Sequence, residues 1–219
     1  MPLFSQEEAQ VELRSTYTHQ HYISKYRFWI RNDIGLRHYF EENPYSMFLL
    51  RPRAIIELTG LVDFHPAVDF RYSVHPGLLN TFELRTWQGV SLHWPDVGRV
   101  MFDHFYRFEQ RFYWTEGIRD EEIGLRSRYR LRMQVPFNNR IITDHTYFMA
   151  LRGEVFIPHD KEIEELFASL LRIGMNIGYN QNSKWRYQLT GYFDAGRNTL
   201  EDERKVSKFI VELSIRTRF

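Results

Sequence analysis

The chain has 219 residues, enough for one domain, and its 29 Lys and Arg nearly cancel its 28 Asp and Glu to a net charge of +1. That balance gives no electrostatic case for a nucleic-acid partner, and with no cysteine there is no disulfide framework, thiol nucleophile or Cys-based metal site. Mean hydropathy is −0.49 although aromatic residues make up 16% of the chain, and no apolar run reaches the roughly 18 residues of a membrane-crossing helix.

The first residues, Met-Pro-Leu-Phe-Ser-Gln, carry neither a basic stretch nor an apolar run of an export signal. Two expectations stand: a cytosolic chain, or a mature outer-membrane form whose signal has been removed.

From there a period of two runs along the sequence. Val11, Leu13 and Tyr17 alternate with Glu12, Arg14 and Thr16; Val62, Phe64, Val68, Phe70 and Tyr72 alternate with Asp63, His65, Asp69 and Arg71. Val100, Phe102, Tyr106, Phe108, Phe112 and Trp114 oppose Asp103, Arg107, Glu109 and Arg111. Ile123, Leu125, Tyr129, Leu131 and Met133 oppose Arg126, Arg128, Arg130, Arg132 and Gln134. Leu171, Ile173, Met175, Ile177 and Tyr179 oppose Arg172, Asn176 and Asn180, and the last strand sets Phe209, Val211, Leu213 and Ile215 against Lys208, Glu212, Arg216 and Arg218. Successive side chains of a strand point to opposite faces, so these segments are amphipathic strands.

Turn signals divide residues 1–219, read as a single domain, into about twelve strands: 10–18, 22–31, 33–41, 46–58, 60–74, 79–93, 99–114, 121–136, 140–157, 166–180, 184–195 and 205–219. Ten is the fallback, because the second and third are short. A helix over Glu162 to Arg172, through Ile163, Leu166, Phe167 and Leu170, competes with the tenth strand.

Strands longer than the usual 5 or 6 residues, an aromatic apolar face and a face mixing Arg with Glu favour apolar-out over apolar-in. The expectation is an all-β, transmembrane, antiparallel up-and-down barrel with a charged lumen. Short turns at Asn32-Asp33, Thr59-Gly60, Pro95 to Gly98, Asn138-Asn139 and Gln181 to Ser183 alternate with longer ones. That contrast puts the short set and both termini in the periplasm, which requires an even strand count.

Phe219 closes an alternating strand and resembles the C-terminal sorting signal of bacterial outer-membrane proteins. The run Arg107-Phe108-Glu109-Gln110-Arg111, then Arg126, Arg128, Arg130 and Arg132, then Gly153-Glu154-Val155-Phe156, resembles an uncharacterised outer-membrane barrel family common in Bacteroidetes and known only as a domain of unknown function. The resemblance implies the fold, a location in the Gram-negative outer membrane, and the barrel-assembly machinery, outer-membrane lipid and lipopolysaccharide as partners. It implies no chemistry.

The candidate site is the inward charge set: Arg107, Glu109, Arg111, Arg126, Arg128, Arg130, Arg132, Arg152, Glu154, Lys208, Glu212, Arg216 and Arg218. One reading is a network of ion pairs filling the lumen of a structural or accessory barrel, docked in a larger outer-membrane complex. A second is a porin-like, anion-preferring constriction, and a third reverses the faces into a soluble ligand-binding barrel that buries Phe108, Leu131 and Val211.

No enzyme, cofactor or metal site is expected. A membrane-facing hydrolase needs Ser and His together on the outer face near the external rim, and the nearest outward pair, Ser127 and His104, is four residues apart in height, about 13 Å. His19 and His21 lack a third ligand, and Glu109 and Glu154 have arginine neighbours that leave neither carboxyl as a proton donor.

Overall fold

The computed structural model describes residues 10–23, 28–40, 43–118, 121–159, 171–197 and 204–219. Every regular element among them is a strand: β1 (Gln10–Ile23), β2 (Phe28–Phe40), β3 (Tyr45–Glu57), β4 (Val62–Val74), β5 (Thr81–His93), β6 (Met101–Thr115), β7 (Glu121–Pro136), β8 (Thr146–Pro158), β9 (Leu171–Asn180), β10 (Trp185–Arg197) and β11 (Arg204–Arg218). Each pairs antiparallel with the next, and β1 pairs with β11 to close the barrel.

The count is therefore eleven rather than twelve or ten, and the closing pair is parallel, with Gln10 opposite Lys208 and Gln20 opposite Arg218. The expected turn at Asn32-Asp33 is the cause. Asn32 and Asp33 lie inside β2, paired to His19 and Thr18 on one side and to Pro52 and Arg51 on the other. Asp33 is a poor strand former in isolation, but here its carboxylate accepts bonds from Thr18 Oγ1 at 2.6 Å and Arg31 Nε at 2.8 Å. Tertiary pairing overrides the turn propensity, and two expected strands and a turn become β1's end and β2.

An odd count also separates the chain ends. β1 begins at the rim opposite to the one where β11 finishes, so the start of the first strand and the end of the last do not share a rim as expected. We call these the N-terminal and C-terminal rims. The expected contrast in turn length largely vanishes too: the C-terminal rim's connections span four to nine residues and those of the N-terminal rim four to twelve. Asn138-Asn139 is part of a nine-residue connection, 137–145, because β8 starts at Thr146 rather than near 140. The helix expected from residue 162 falls mostly outside the described residues; Leu171 and Arg172 belong to β9.

The faces run as the alternation requires. Leu131 is 39% exposed and Leu213 53%, while Glu109 is fully buried in the lumen, so the apolar-in arrangement is overturned. Aromatic residues gather outward near both rims: Tyr147 against Tyr179 and Trp185 against Tyr187 at the C-terminal rim, Trp114 against Phe82 and Phe112 at the other. At the seam, Phe219 donates its backbone N–H to Gln20 O and accepts from Tyr22 N–H, both at 2.9 Å. Outside the wall, Tyr17 Oη and Thr217 Oγ1 are 2.9 Å apart.

Candidate functional site

Residues two apart on a strand share a face, so an Asp-x-Arg or Arg-x-Glu pattern puts opposite charges side by side along the lumen wall. The lumen uses this repeatedly. Arg14 bonds Glu12 at 2.5 Å, Arg71 meets Asp69 at 3.1 Å, Arg85 meets Glu83 at 2.5 Å and Arg107 pairs with Glu109.

Bridges between strands then join these pairs into one band. Arg51 lies 3.8 Å from Asp33 and 2.7 Å from Asp69; Arg71 lies 3.9 Å from Glu83; Arg85 lies 3.5 Å from Glu109; Arg126 lies 2.7 Å from Glu109. The chain of contacts is unbroken from β2 to β7. On the far wall, Glu154 pairs with Arg128 and lies 3.9 Å from Arg172, which grips Asp194 through two bonds of 2.6 Å. A buried carboxylate between two or three guanidinium groups is satisfied where a lone one is not.

Of the thirteen expected lumen residues, the structure brings most into this network. Arg111 reaches Glu83 at 2.7 Å and Arg132 reaches Asp103 at 2.5 Å. Arg152 donates to Tyr192 Oη at 2.6 Å, and Glu212 accepts from Thr16 at 2.9 Å and Tyr192 at 3.2 Å. Arg130 lies over the Phe105 ring at 4.8 Å, Lys208 over Tyr39 at 4.6 Å and Arg218 over Trp29 at 4.7 Å. Arg216 meets no carboxylate within 4 Å among the described residues; Arg186, Arg218, Arg31 and Arg132 are the charges nearest enough to act on it.

The sequence reading missed two parts of the interior. One is the acidic hubs on the early strands, Asp33 and Glu83, with Asp69, which the alternation puts on the polar face but the candidate set leaves out. The other is an aromatic layer: Trp87, Phe105, Phe148, Phe156 and Tyr192 all point inward and are buried. Their parity was legible, since Trp87 follows Arg85 by two, Phe105 precedes Arg107 by two and Phe156 follows Glu154 by two. These rings serve as plates for guanidinium groups: Arg107 stacks on Trp87 at 4.6 Å, and Arg126 and Arg128 both on Phe156 at 4.9 Å. Glycines on neighbouring strands make room. A Cβ on Gly89 would meet the Phe105 ring, and one on Gly178 or Gly174 would overlap Phe148 or Tyr192.

Between these walls lies a cavity of about 840 Å³. Among the described residues its lining runs from His75, Thr115, Ile118 and Glu122 at the N-terminal rim to the level of Arg31, Arg132 and Arg216 toward the other end. Among the described residues, seventeen arginines and Lys208 line it against seven carboxylates. Asp69 and Glu109, buried just behind, reduce the excess only slightly.

Of the histidines, His93 joins this band through Asp103, 2.6 Å from its Nδ1. His19 and His21 lie in β1, not in a loop, and His19 Nδ1 contacts Thr217 Oγ1 at 3.2 Å. No group of three metal-binding side chains occurs among the described residues. Glu109 and Glu154 each sit among arginines, as expected. His104 bonds Tyr129 Oη at 2.6 Å, and the register places Phe108, four residues away, opposite Ser127. The nearer partner of Ser127 is His159.

Searches of curated proteins and of solved structures each found no match. Residues 15–203 match the profile of one family, covering the first ten strands from Ser15 of β1 and so nearly the whole charge band. The chain belongs to the family described as Protein of unknown function (DUF2490).

Proposed function

We propose that this protein is a bacterial outer-membrane β-barrel with a structural or accessory role, its lumen occupied by ion pairs. The supporting observation is polarity: the outer wall exposes a belt of Leu, Ile, Val and Phe flanked by aromatic residues, while the charges are inside. Water rewards the opposite arrangement; hydrocarbon rewards this one. In this reading lipid and lipopolysaccharide surround the wall, and the barrel-assembly machinery inserts the chain. The test is detergent fractionation with heat-modifiable gel mobility. Solubility without detergent refutes the reading.

A second reading is favoured by the charge count of the cavity: a cup that attracts anionic solutes from the N-terminal rim. So many guanidinium groups with so few carboxylates need counterions, and rings of arginine select anions. Because the cavity's described lining ends at the level of Arg132 and Arg216, the expected behaviour is anion binding without steady conduction. Planar-bilayer recordings should be silent, and a steady anion-selective current lost in Arg186→Ala and Arg216→Ala would establish an open channel instead.

A further inference from the structure

The outer wall of the barrel carries a polar cluster on β5 to β8. Ser127 of β7 stands at its centre. On one side Ser127 Oγ is 2.8 Å from Nε2 of His159, the residue after β8; on the other it is 2.8 Å from the hydroxyl of Tyr106 of β6. The register explains the convergence. Ser127 lies directly opposite Phe108 and Ile157, and Tyr106 and His159 are its diagonal neighbours two residues away on either side. Side chains of that length span such a diagonal. His159 is fixed by its backbone N–H bond to Leu125 O at 3.0 Å and by the Phe108 ring 5.9 Å away. Thr86 and Gln110, bonded to each other at 3.0 Å, extend the polar patch along the same face.

A serine hydroxyl donating to an imidazole nitrogen is the arrangement that activates an oxygen nucleophile. The lumen has a second pair, Ser91 with His65 at 2.5 Å, but both of those residues are buried inside the wall. His159 is exposed, and Ser127, 4% exposed, lies against Tyr106, which is itself 51% exposed.

We propose that Ser127 and His159 form a nucleophile and general-base dyad that cleaves carboxylic esters of membrane lipids on the outer wall near the N-terminal rim. Ser127 Oγ attacks the ester carbonyl as His159 Nε2 takes its proton; the C–O bond to the lipid alcohol breaks, and the same proton passes to the leaving oxygen. Water then attacks the acyl-serine, giving its proton to His159; the C–Oγ bond breaks, His159 passes that proton to Ser127 Oγ, and the fatty acid leaves. The Tyr106 hydroxyl, beside Oγ, is placed to donate to the carbonyl oxygen as it becomes negative. The lipid half of the assignment rests on the membrane reading above; the dyad does not.

The test uses the full chain, folded in detergent and checked by heat-modifiable mobility. A fluorophosphonate probe should label the wild type, with the adduct mapped to Ser127 by mass spectrometry, and should not label Ser127→Ala. Fatty acid release from phosphatidylethanolamine mixed micelles should fall about 100-fold or more in His159→Ala, the range of a lost general base. Tyr106→Phe should slow both the probe reaction and fatty acid release, since it removes the donor to the developing oxyanion. A folded wild type that is neither labelled at Ser127 nor active on any ester overturns the proposal, as does release unchanged in Ser127→Ala. Should p-nitrophenyl butyrate be cleaved through Ser127 while the phospholipid is not, the dyad stands and the lipid substrate is refuted. The fractionation result then decides separately whether the membrane reading falls with it.

Discussion

Replacing Asp69 with Asn tests whether the lumen band holds the barrel together. Asp69 is fully buried on β4 and accepts two bonds from Arg51, at 2.7 and 2.9 Å, one from Arg71 at 3.1 Å and one from Trp87 Nε1 at 2.8 Å. Asn keeps the shape and one acceptor oxygen but removes the charge. Its amide donors then face Arg and Trp donors, and Arg51 keeps Asp33, 3.8 Å away, as its remaining acidic neighbour. Breaking a buried ion pair from one side costs about 3–5 kcal/mol, because the partner charge is left uncompensated. With a urea slope of about 2 kcal/mol/M, the unfolding midpoint should fall by about 1.5–2.5 M. The assay is urea titration of barrels folded in lipid vesicles, followed by gel mobility. Asp144→Asn, exposed in the 137–145 connection, is the control and should move stability by less than about 0.5 kcal/mol. A shift no larger for Asp69→Asn than for the control would mean that the ion-pair band is filler without structural weight.

Three further outcomes follow from particular contacts. Gly178→Ala places a methyl group in the Phe148 ring and should cost about 1–3 kcal/mol in the same titration, whereas Gly153→Ala, with open space at its Cβ, should be close to neutral. Thr217→Val removes the hydroxyl that Tyr17 and His19 share across the parallel seam and should cost about 1 kcal/mol, read as a lower urea midpoint. In vesicles holding brominated lipid, Trp185→Phe should remove a large share of the quenchable fluorescence and Trp87→Phe almost none, since Trp185 faces outward and Trp87 is 2% exposed; equal loss from both would count against the lipid-facing wall.

The strands could be read from sequence because period-two patterning survives without knowledge of partners, and the lumen arginines followed from it. What failed were the features that depend on pairing. Asn32-Asp33 looks like a turn until Thr18 and Arg31 are known to satisfy Asp33, and that one misreading carries the strand count, the parity and the placement of the termini with it. The aromatic layer is absent from that reading, although Phe105 and Trp87 have the parity of their charged neighbours. Ser127 and His159 are 32 residues apart in sequence. Only the β7–β8 register shows that His159 leans back onto Ser127, while counting heights along β6 led to His104 instead.

The parallel seam also governs what can be attached to the molecule. An extension placed ahead of Gln10 leaves from one mouth and one placed after Phe219 from the other, so a pair of epitope tags would be displayed on opposite sides of any sheet of lipid around the wall. A circular permutant would need a tether running the full height of the wall; a span of about 30 Å takes roughly ten fully extended residues, against the two or three that suffice where both ends meet at one mouth.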